Sequence, residues 1–185
     1  MKILLDNGHG AETPGKRSPV WPNGKQLLEW KFNREMVALI AAELQQLDIE
    51  HQVIVPETTD VSLAERANRA NVYYSKGIKC ILVSVHANAG GGTGWEVFHY
   101  PSSEVSKAYA QIFAQVASKA LPEFKNRGVK SENFQILRQA KCPSVLTENL
   151  FMDTWKDCEF ILSQEGKERI AKLHVTAIQQ IIKNG

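Results

Sequence analysis

The stretch Lys79–Val85, with the sequence KCILVSV, decides the fold because it is apolar at almost every position. A strand that is buried on one face alternates apolar and polar residues, whereas a strand inside a parallel sheet is covered on both faces. The stretch therefore predicts the central strand of a parallel sheet, with helices packed on both sides of it.

The segments on either side of this strand alternate between short apolar runs and amphipathic stretches. The predicted strands are Ile3–Leu5, His51–Val55, Trp95–Tyr100, Phe134–Leu137 and Ser144–Thr147. The predicted helices, in which apolar residues recur every three or four positions, are Glu29–Leu47, Ser62–Tyr74, Ser103–Leu121 and Gln164–Ile182. This alternation predicts a three-layer α/β/α domain with a mostly parallel, twisted sheet flanked by helices. Because no repeat or linker divides the chain, residues 1–185 are interpreted as a single domain.

The composition argues against several classes of function. The net charge is only +2 and the basic residues are dispersed, so nothing indicates a nucleic-acid-binding surface. No stretch reaches the roughly 18 consecutive apolar residues of a membrane-spanning helix. The three cysteines, Cys80, Cys142 and Cys158, form no CxxC pair, which argues against a disulfide framework and against a thiolate zinc site.

Four residues that can carry chemistry stand at positions that one edge of the sheet would bring together. His9, His86 and Glu148 each follow a predicted strand, and Glu29 opens the helix after the first loop. In open parallel sheets, binding sites lie beyond the carboxyl ends of the strands. Each residue also has a plainer interpretation, because a histidine after a strand is often a structural hydrogen-bonding residue and a glutamate at a helix start is often a capping charge.

The residue types point to metal-assisted hydrolysis. Two imidazoles and one carboxylate form a three-ligand zinc set with an open fourth position, which is the catalytic rather than the structural pattern. Zinc lowers the pKa of a bound water toward about 7. A second carboxylate nearby, for which Glu148 is the candidate, can accept the proton of that water and pass it to the leaving amine.

The local sequences around these residues resemble those of a known family. The segments concerned are Asp6–Gly10, Glu29, Ser84–Ala89 and Thr147–Phe151, supported by Leu63–Arg66, Gly94–Val97, Arg127–Lys130 and Cys142–Leu146. In this order they resemble the motifs of the zinc-dependent N-acetylmuramoyl-L-alanine amidases of the amidase 3 type, found in autolysins, sporulation hydrolases and phage endolysins. The resemblance runs from the first predicted strand to the last predicted helix.

This resemblance implies a site and a reaction. It implies that His9, Glu29 and His86 bind one Zn²⁺ ion, and that residues 1–185 form one catalytic amidase domain. Glu148 is then the catalytic glutamate. The implied substrate is peptidoglycan, and the bond cut is the amide between the lactyl group of N-acetylmuramic acid and the L-alanine of the stem peptide. The alternatives are a zinc peptidase or deacetylase acting on another amide, and a non-catalytic wall-binding module.

The chain departs from the family pattern around the substrate-binding cleft that the resemblance implies. After the catalytic glutamate the family often has Gly-Phe, whereas this chain continues with Asn149, Leu150 and Phe151. Three candidate contacts to the substrate are Arg138, Asn88 and Trp21. Arg138 is equally consistent with a surface ion pair, and Trp21 lies in a polar loop.

The resemblance and the first residues also lead to expectations about the cellular setting. We expect a monomer whose partner is peptidoglycan, with no nucleic acid and no membrane span. The apolar run Ile3–Leu5 is shorter than the core of a secretion signal, which needs about 7–15 residues. We therefore expect synthesis in the cytoplasm and action on the cell wall after lysis or export, as for a prophage endolysin.

Overall fold

Six strands form one sheet in a computed structural model that describes residues 1–184. The strands are β1 (Lys2–Asn7), β2 (His51–Val53), β3 (Cys80–Asn88), β4 (Trp95–His99), β5 (Asn126–Ser131) and β6 (Ser144–Phe151). Their order across the sheet is β2-β1-β3-β6-β4-β5. Strands β2, β1, β3 and β6 are parallel, and β4 is antiparallel to β6. The carboxyl ends of β1, β3 and β6 therefore meet at one edge, from which β4 begins.

Helices cover both faces of this sheet, as predicted. They are α1 (Glu29–Gln46), α2 (Leu63–Ser75), α3 (Glu104–Ala120), α4 (Gln135–Gln139), α5 (Trp155–Leu162) and α6 (Gln164–Asn184). Helices α1, α3 and α6 pack together on one face, whereas α2 and α4 pack on the other. No helix within residues 1–184 is long and apolar enough to cross a bilayer.

The central strand β3 shows why the sequence gives three layers. Ile81, Val83 and Val85 join the core under α1, α3 and α6, whereas Cys80 and Leu82 join the core under α2 and α4. Successive side chains of a strand point to opposite faces. An uninterrupted apolar run therefore supplies both cores at once, which is the observed arrangement.

One predicted element is wrong, and two observed elements were not predicted. The predicted strand Phe134–Leu137 is instead occupied by α4, because a four-residue segment with three apolar side chains does not distinguish a strand from one turn of helix. Strand β5 was missed because its sequence, NRGVKS, is mostly polar and half-exposed at the edge of the sheet. Helix α5 was missed because its eight residues span only about two turns.

Candidate active site

The pairing of β1 with β3 brings the two predicted metal-binding histidines together. Asn7, the last residue of β1, lies beside Val85, and the Gly8 N–H donates to the Val85 carbonyl at 3.2 Å. The His86 ring occupies the space next to Gly8, where a Cβ atom would lie 2.0 Å from the ring Cε1 atom. Only glycine leaves room for this ring, which explains the residue before His9.

The backbone of His9 adopts a conformation that is unusual for a residue with a side chain. Its φ is +63°, in the left-handed region. The His9 carbonyl accepts hydrogen bonds from Arg34 Nη1 at 2.9 Å and Arg66 Nη2 at 3.1 Å. Two arginines therefore hold this strained turn in place, as expected where a structure over-determines a functional conformation.

Arg66 connects α2 to the end of β1 from a fully buried position. Its Nη1 atom donates to Asp6 Oδ1 and to the Asn7 carbonyl, both at 2.8 Å. The other oxygen of Asp6 accepts from the Ser84 hydroxyl at 2.5 Å. Because Asp6, Arg66 and Ser84 are all buried and bonded to one another, this network fixes β1, β3 and α2 beneath the two histidines.

Glu29 enters the cluster from the first turn of α1. Its N–H donates to the Lys16 carbonyl, and its side chain is buried. The Oε1 atom lies 3.0 Å from His86 Nδ1 and 3.3 Å from His9 Nε2. One carboxylate oxygen therefore stands between two imidazole rings, whose centroids are 4.9 Å apart.

The electrostatics of this cluster favour an ionised carboxylate. Burial alone would raise the pKa of Glu29, but hydrogen bonds from His86 and His9 outweigh it and hold the pKa well below its ordinary range. Burial alone would lower the pKa of His86, but the neighbouring Glu29 raises it. The ligand atoms of all three residues lie within 4.8 Å of one another. This donor set and its compactness fit a divalent metal such as zinc.

Glu148 lies beside this cluster on the neighbouring strand. In the parallel register of β3 and β6 it is the direct partner of His86. Its Oε2 atom is buried and has no hydrogen-bond partner among residues 1–184. Burial raises the pKa of Glu148 to about 7. A half-buried carboxyl group that has one buried oxygen without a partner, and whose pKa lies close to neutral pH, is suited to exchanging protons with a bound reactant.

The side chain of Asn88, a predicted substrate contact, is hydrogen-bonded within the protein. Its Nδ2 atom donates to Glu96 Oε1 at 2.7 Å. Glu96 also binds Arg127 at 2.5 Å and Lys130 at 2.6 Å, and it is the cross-strand neighbour of Glu148. Burial raises the pKa of Glu96, but the hydrogen bonds from Lys130, Arg127 and Asn88 outweigh it and leave the pKa below its ordinary value.

Trp21 lies at the tip of the loop between β1 and α1. Its ring packs edge-on against Trp155 with the centroids 5.1 Å apart, and its Nε1–H donates to Cys158 Sγ at 3.2 Å. Together with Pro22 and Asn23, the two tryptophans line a mainly apolar pocket of about 450 Å³. The loop returns directly to Glu29, so this pocket and the metal-binding cluster share one loop.

Arg138 is not brought to the cluster by any contact in the described chain. It lies on α4 rather than on the predicted strand, is exposed, and donates to the side chain and the carbonyl of Asn133. Sequence reasoning also overlooked Asn33, which is fully buried and donates to the Gly8 carbonyl at 3.0 Å. Its spacing of four residues from Glu29 was the available signal, because residues four apart share one face of a helix.

Two imidazoles and a carboxylate next to a buried carboxyl group, at the carboxyl edge of an α/β sheet, define the class of metal-assisted hydrolases. The chain matches the family model for N-acetylmuramoyl-L-alanine amidase over residues 3–180. The chain therefore belongs to the N-acetylmuramoyl-L-alanine amidase family.

Individual relatives agree with this membership. The amidase CwlM of Bacillus licheniformis is 32% identical over 185 residues, which cover 96% of this chain and 67% of that protein. The sporulation-specific amidase of Bacillus subtilis is 31% identical, with 97% and 68% covered. Among solved structures, an amidase from Clostridium difficile superimposes with a TM-score of 0.87 at 25% identity, covering 98% of this chain and 96% of that one.

Proposed function

We propose that the chain is a zinc-dependent peptidoglycan amidase that hydrolyses the amide between the lactyl group of N-acetylmuramic acid and L-alanine. The observation that carries the proposal is the compact cluster of His9, Glu29 and His86 beside the unpartnered carboxyl group of Glu148. Membership of the amidase family supplies the identity of the bond. Every group needed for hydrolysis comes from one chain, which supports a monomer as the active form.

In this proposal His9, Glu29 and His86 hold one zinc ion. The ion supplies Lewis-acid polarisation of the amide carbonyl and a water of lowered pKa. The low pKa of Glu29 keeps its carboxylate charged, so that it contributes negative charge to the ligand set at every physiological pH. The left-handed turn at His9 and the glycine before it place the two rings against each other.

Glu148 is assigned the proton transfers. Its carboxyl group accepts a proton from the attacking water and returns it to the amine of L-alanine as the amide bond breaks. Burial raises the pKa of Glu148 to about 7 in the metal-free chain, and the charge of a bound divalent ion would lower it from there, toward the carboxylate form that accepts the first proton. Since nothing else binds Oε2 within residues 1–184, the group is free to make both contacts.

Substrate contacts are assigned by the chemistry of each candidate. The pocket between Trp21 and Trp155 presents two indole rings, which suit the apolar faces of the sugar rings in the glycan strand. Asn88 is assigned an indirect role, because its hydrogen bond to Glu96 holds that carboxylate on the strand next to Glu148. Arg138 is exposed and donates hydrogen bonds to Asn133, so we assign it a peripheral contact to the stem peptide. The site of action in this proposal is the cell wall.

The test is digestion of purified peptidoglycan, with and without a chelator and zinc add-back. We expect new L-alanine amino termini without new reducing sugar ends, lost with the chelator and restored by zinc. A zinc peptidase would instead release other amino termini, and a deacetylase would release acetate. Digestion that persists after complete removal of metal would contradict the zinc dependence, and absence of digestion with zinc present at full occupancy would contradict the reaction.

A further inference from the structure

Strand β6 carries one extra residue at the point where it passes the metal-binding cluster. His86 is paired with Glu148, but Asn88 is paired with Phe151, so three steps along β6 match two along β3. Such a bulge interrupts the ladder of backbone hydrogen bonds and redirects the neighbouring side chains. Within the bulge, Leu150 is buried and has a φ of +68°, which is strained for a residue with a side chain.

The carboxamide of Asn149 spans this interruption. Its Nδ2 atom donates to the His86 carbonyl at 2.9 Å and to Thr147 Oγ1 at 3.2 Å. Its Oδ1 atom accepts from Trp95 Nε1 at 2.9 Å. The orientation of the amide is unambiguous, because a carbonyl only accepts and an indole N–H only donates. Asn149 is fully buried, so no water replaces these bonds.

One side chain thus joins three strands at the edge where the chemistry takes place. The His86 carbonyl belongs to β3, Trp95 opens β4, and Asn149 itself follows Glu148 on β6. The two side chains closest to asparagine in size do not serve these partners. Aspartate has no donor for the His86 carbonyl, and leucine, which has a similar volume, makes none of the bonds.

From this geometry we infer that Asn149 is a positioning residue that sets the separation between the metal ligand His86 and the proton-transfer group Glu148. The inference rests on the roles assigned to those two residues under the proposed function. Asn149 touches no reacting atom; it acts by fixing the backbone of His86 relative to the strand that carries Glu148. Displacement of a catalytic group by about 1 Å costs on the order of 100-fold in rate.

The test compares Asn149→Leu with a matched control in the intact zinc-loaded enzyme. Ser106→Ala is the control, because the Ser106 hydroxyl is also buried and accepts from the Ser144 N–H, at the opposite end of β6. The readouts are kcat and KM on a soluble muramoyl-L-alanine peptide, the zinc dissociation constant by chelator competition, and the thermal midpoint. A purely structural role would lower the midpoint of both variants and leave the other readouts unchanged.

For Asn149→Leu we expect kcat to fall about 10- to 100-fold with KM nearly unchanged. We also expect zinc to bind about 10-fold more weakly, since the partners of metal ligands have effects of that size. Ser106→Ala should lose stability only. Trp95→Phe removes the one hydrogen bond that Asn149 Oδ1 accepts from the indole and keeps an aromatic ring in the core. It should therefore lower kcat by a smaller factor than Asn149→Leu. If Asn149→Leu does not fold, Trp95→Phe provides the test.

Wild-type values of kcat and zinc affinity for the variants would overturn the inference, even if their midpoints fall. Failure of the proposed function is recognised separately, because the wild-type enzyme is assayed with chelator in the same series. If wild-type activity is insensitive to metal removal, the metal-binding assignment fails. If it is metal-dependent and Asn149→Leu and Trp95→Phe are unaffected, only the role of Asn149 is wrong.

Discussion

Replacement of His174 by glutamine should remove part of the acid sensitivity of the fold. His174 is fully buried on α6, with Nδ1 at 2.8 Å from the Ile170 carbonyl and Nε2 at 2.9 Å from Thr147 Oγ1. Because a carbonyl cannot donate, Nδ1 carries the hydrogen and Nε2 accepts from the threonine hydroxyl. Both nitrogens are satisfied in the neutral ring, so protonation would add a buried charge and break the bond from Thr147.

The size of the effect follows from the pKa. Burial lowers the pKa of His174 from 6.5 to about 4. Below pH 6.5 His174 becomes protonated in the unfolded chain, whereas in the folded protein it stays neutral down to about pH 4. Stability is unaffected by this group above pH 6.5 and is lost as the pH falls through that window. Between pH 7 and pH 5 the linkage relation gives a loss of about 2 kcal/mol from this residue alone.

Urea unfolding of the metal-free protein at pH 7 and pH 5 measures this loss. Wild type should lose about 2 kcal/mol more than His174→Gln between the two conditions, although the variant starts about 1 kcal/mol less stable because its hydrogen bonds are imperfect. Comparing the two proteins cancels the contributions they share, including that of Glu148, whose raised pKa acts in the opposite direction. His51→Gln, on the edge strand β2, is the control and should follow wild type. Equal losses in wild type and His174→Gln would refute the reasoning.

Three further substitutions test the site directly. Glu148→Gln should lower kcat by about 10²- to 10⁴-fold in the peptidoglycan assay. It should also stabilise the metal-free fold at pH 8 by about 1–3 kcal/mol in urea unfolding, because the ionised carboxylate is buried without a partner. Gly8→Ala should abolish zinc retention, measured as bound metal after gel filtration, because the new Cβ would overlap the His86 ring; retention at the wild-type level would contradict the packing. Arg66→Met should cost about 3–5 kcal/mol in urea unfolding, because Asp6 would remain buried and unpaired; a cost below about 1 kcal/mol would contradict the role of that network.

The three-layer fold was predictable because it follows from the order of apolar and polar residues along the chain. The apolar run of β3 required cover on both faces, and the buried face of α6, including Ile170, Leu173 and Ile178, was visible as a repeat of three and four residues. Strand β5 was not predictable in this way. Its pairing with β4 depends on backbone hydrogen bonds at the edge of the sheet, and these leave no hydrophobic pattern in a polar segment.

The candidate ligands were predictable from strand ends and residue type, but their supports were not. His9 and His86 follow predicted strands and Glu29 opens a helix, which made them candidates at one edge, and the resemblance to the amidase family supplied their assignment as ligands. The bonds from Arg34 and Asn149 to backbone carbonyls depend on a left-handed turn and on a bulge. Neither feature has a sequence signal here, because the residues with positive φ, His9 and Leu150, are not glycines.

Two of the three non-glycine residues with positive φ within residues 1–184 lie at the same edge as the proposed chemistry; the third, Asp48, follows helix α1. His9 and Leu150 occupy strained backbone conformations, and Glu148 buries an oxygen without a partner. Arg66 bonds the carbonyl of His9, and Asn149, which lies between Glu148 and Leu150 in the chain, bonds the carbonyl of His86. A sequence selected for stability alone would favour glycine at the strained positions and an apolar residue at 148. This strain supports the proposed site at this edge, and the proposal predicts that stabilising substitutions there reduce activity.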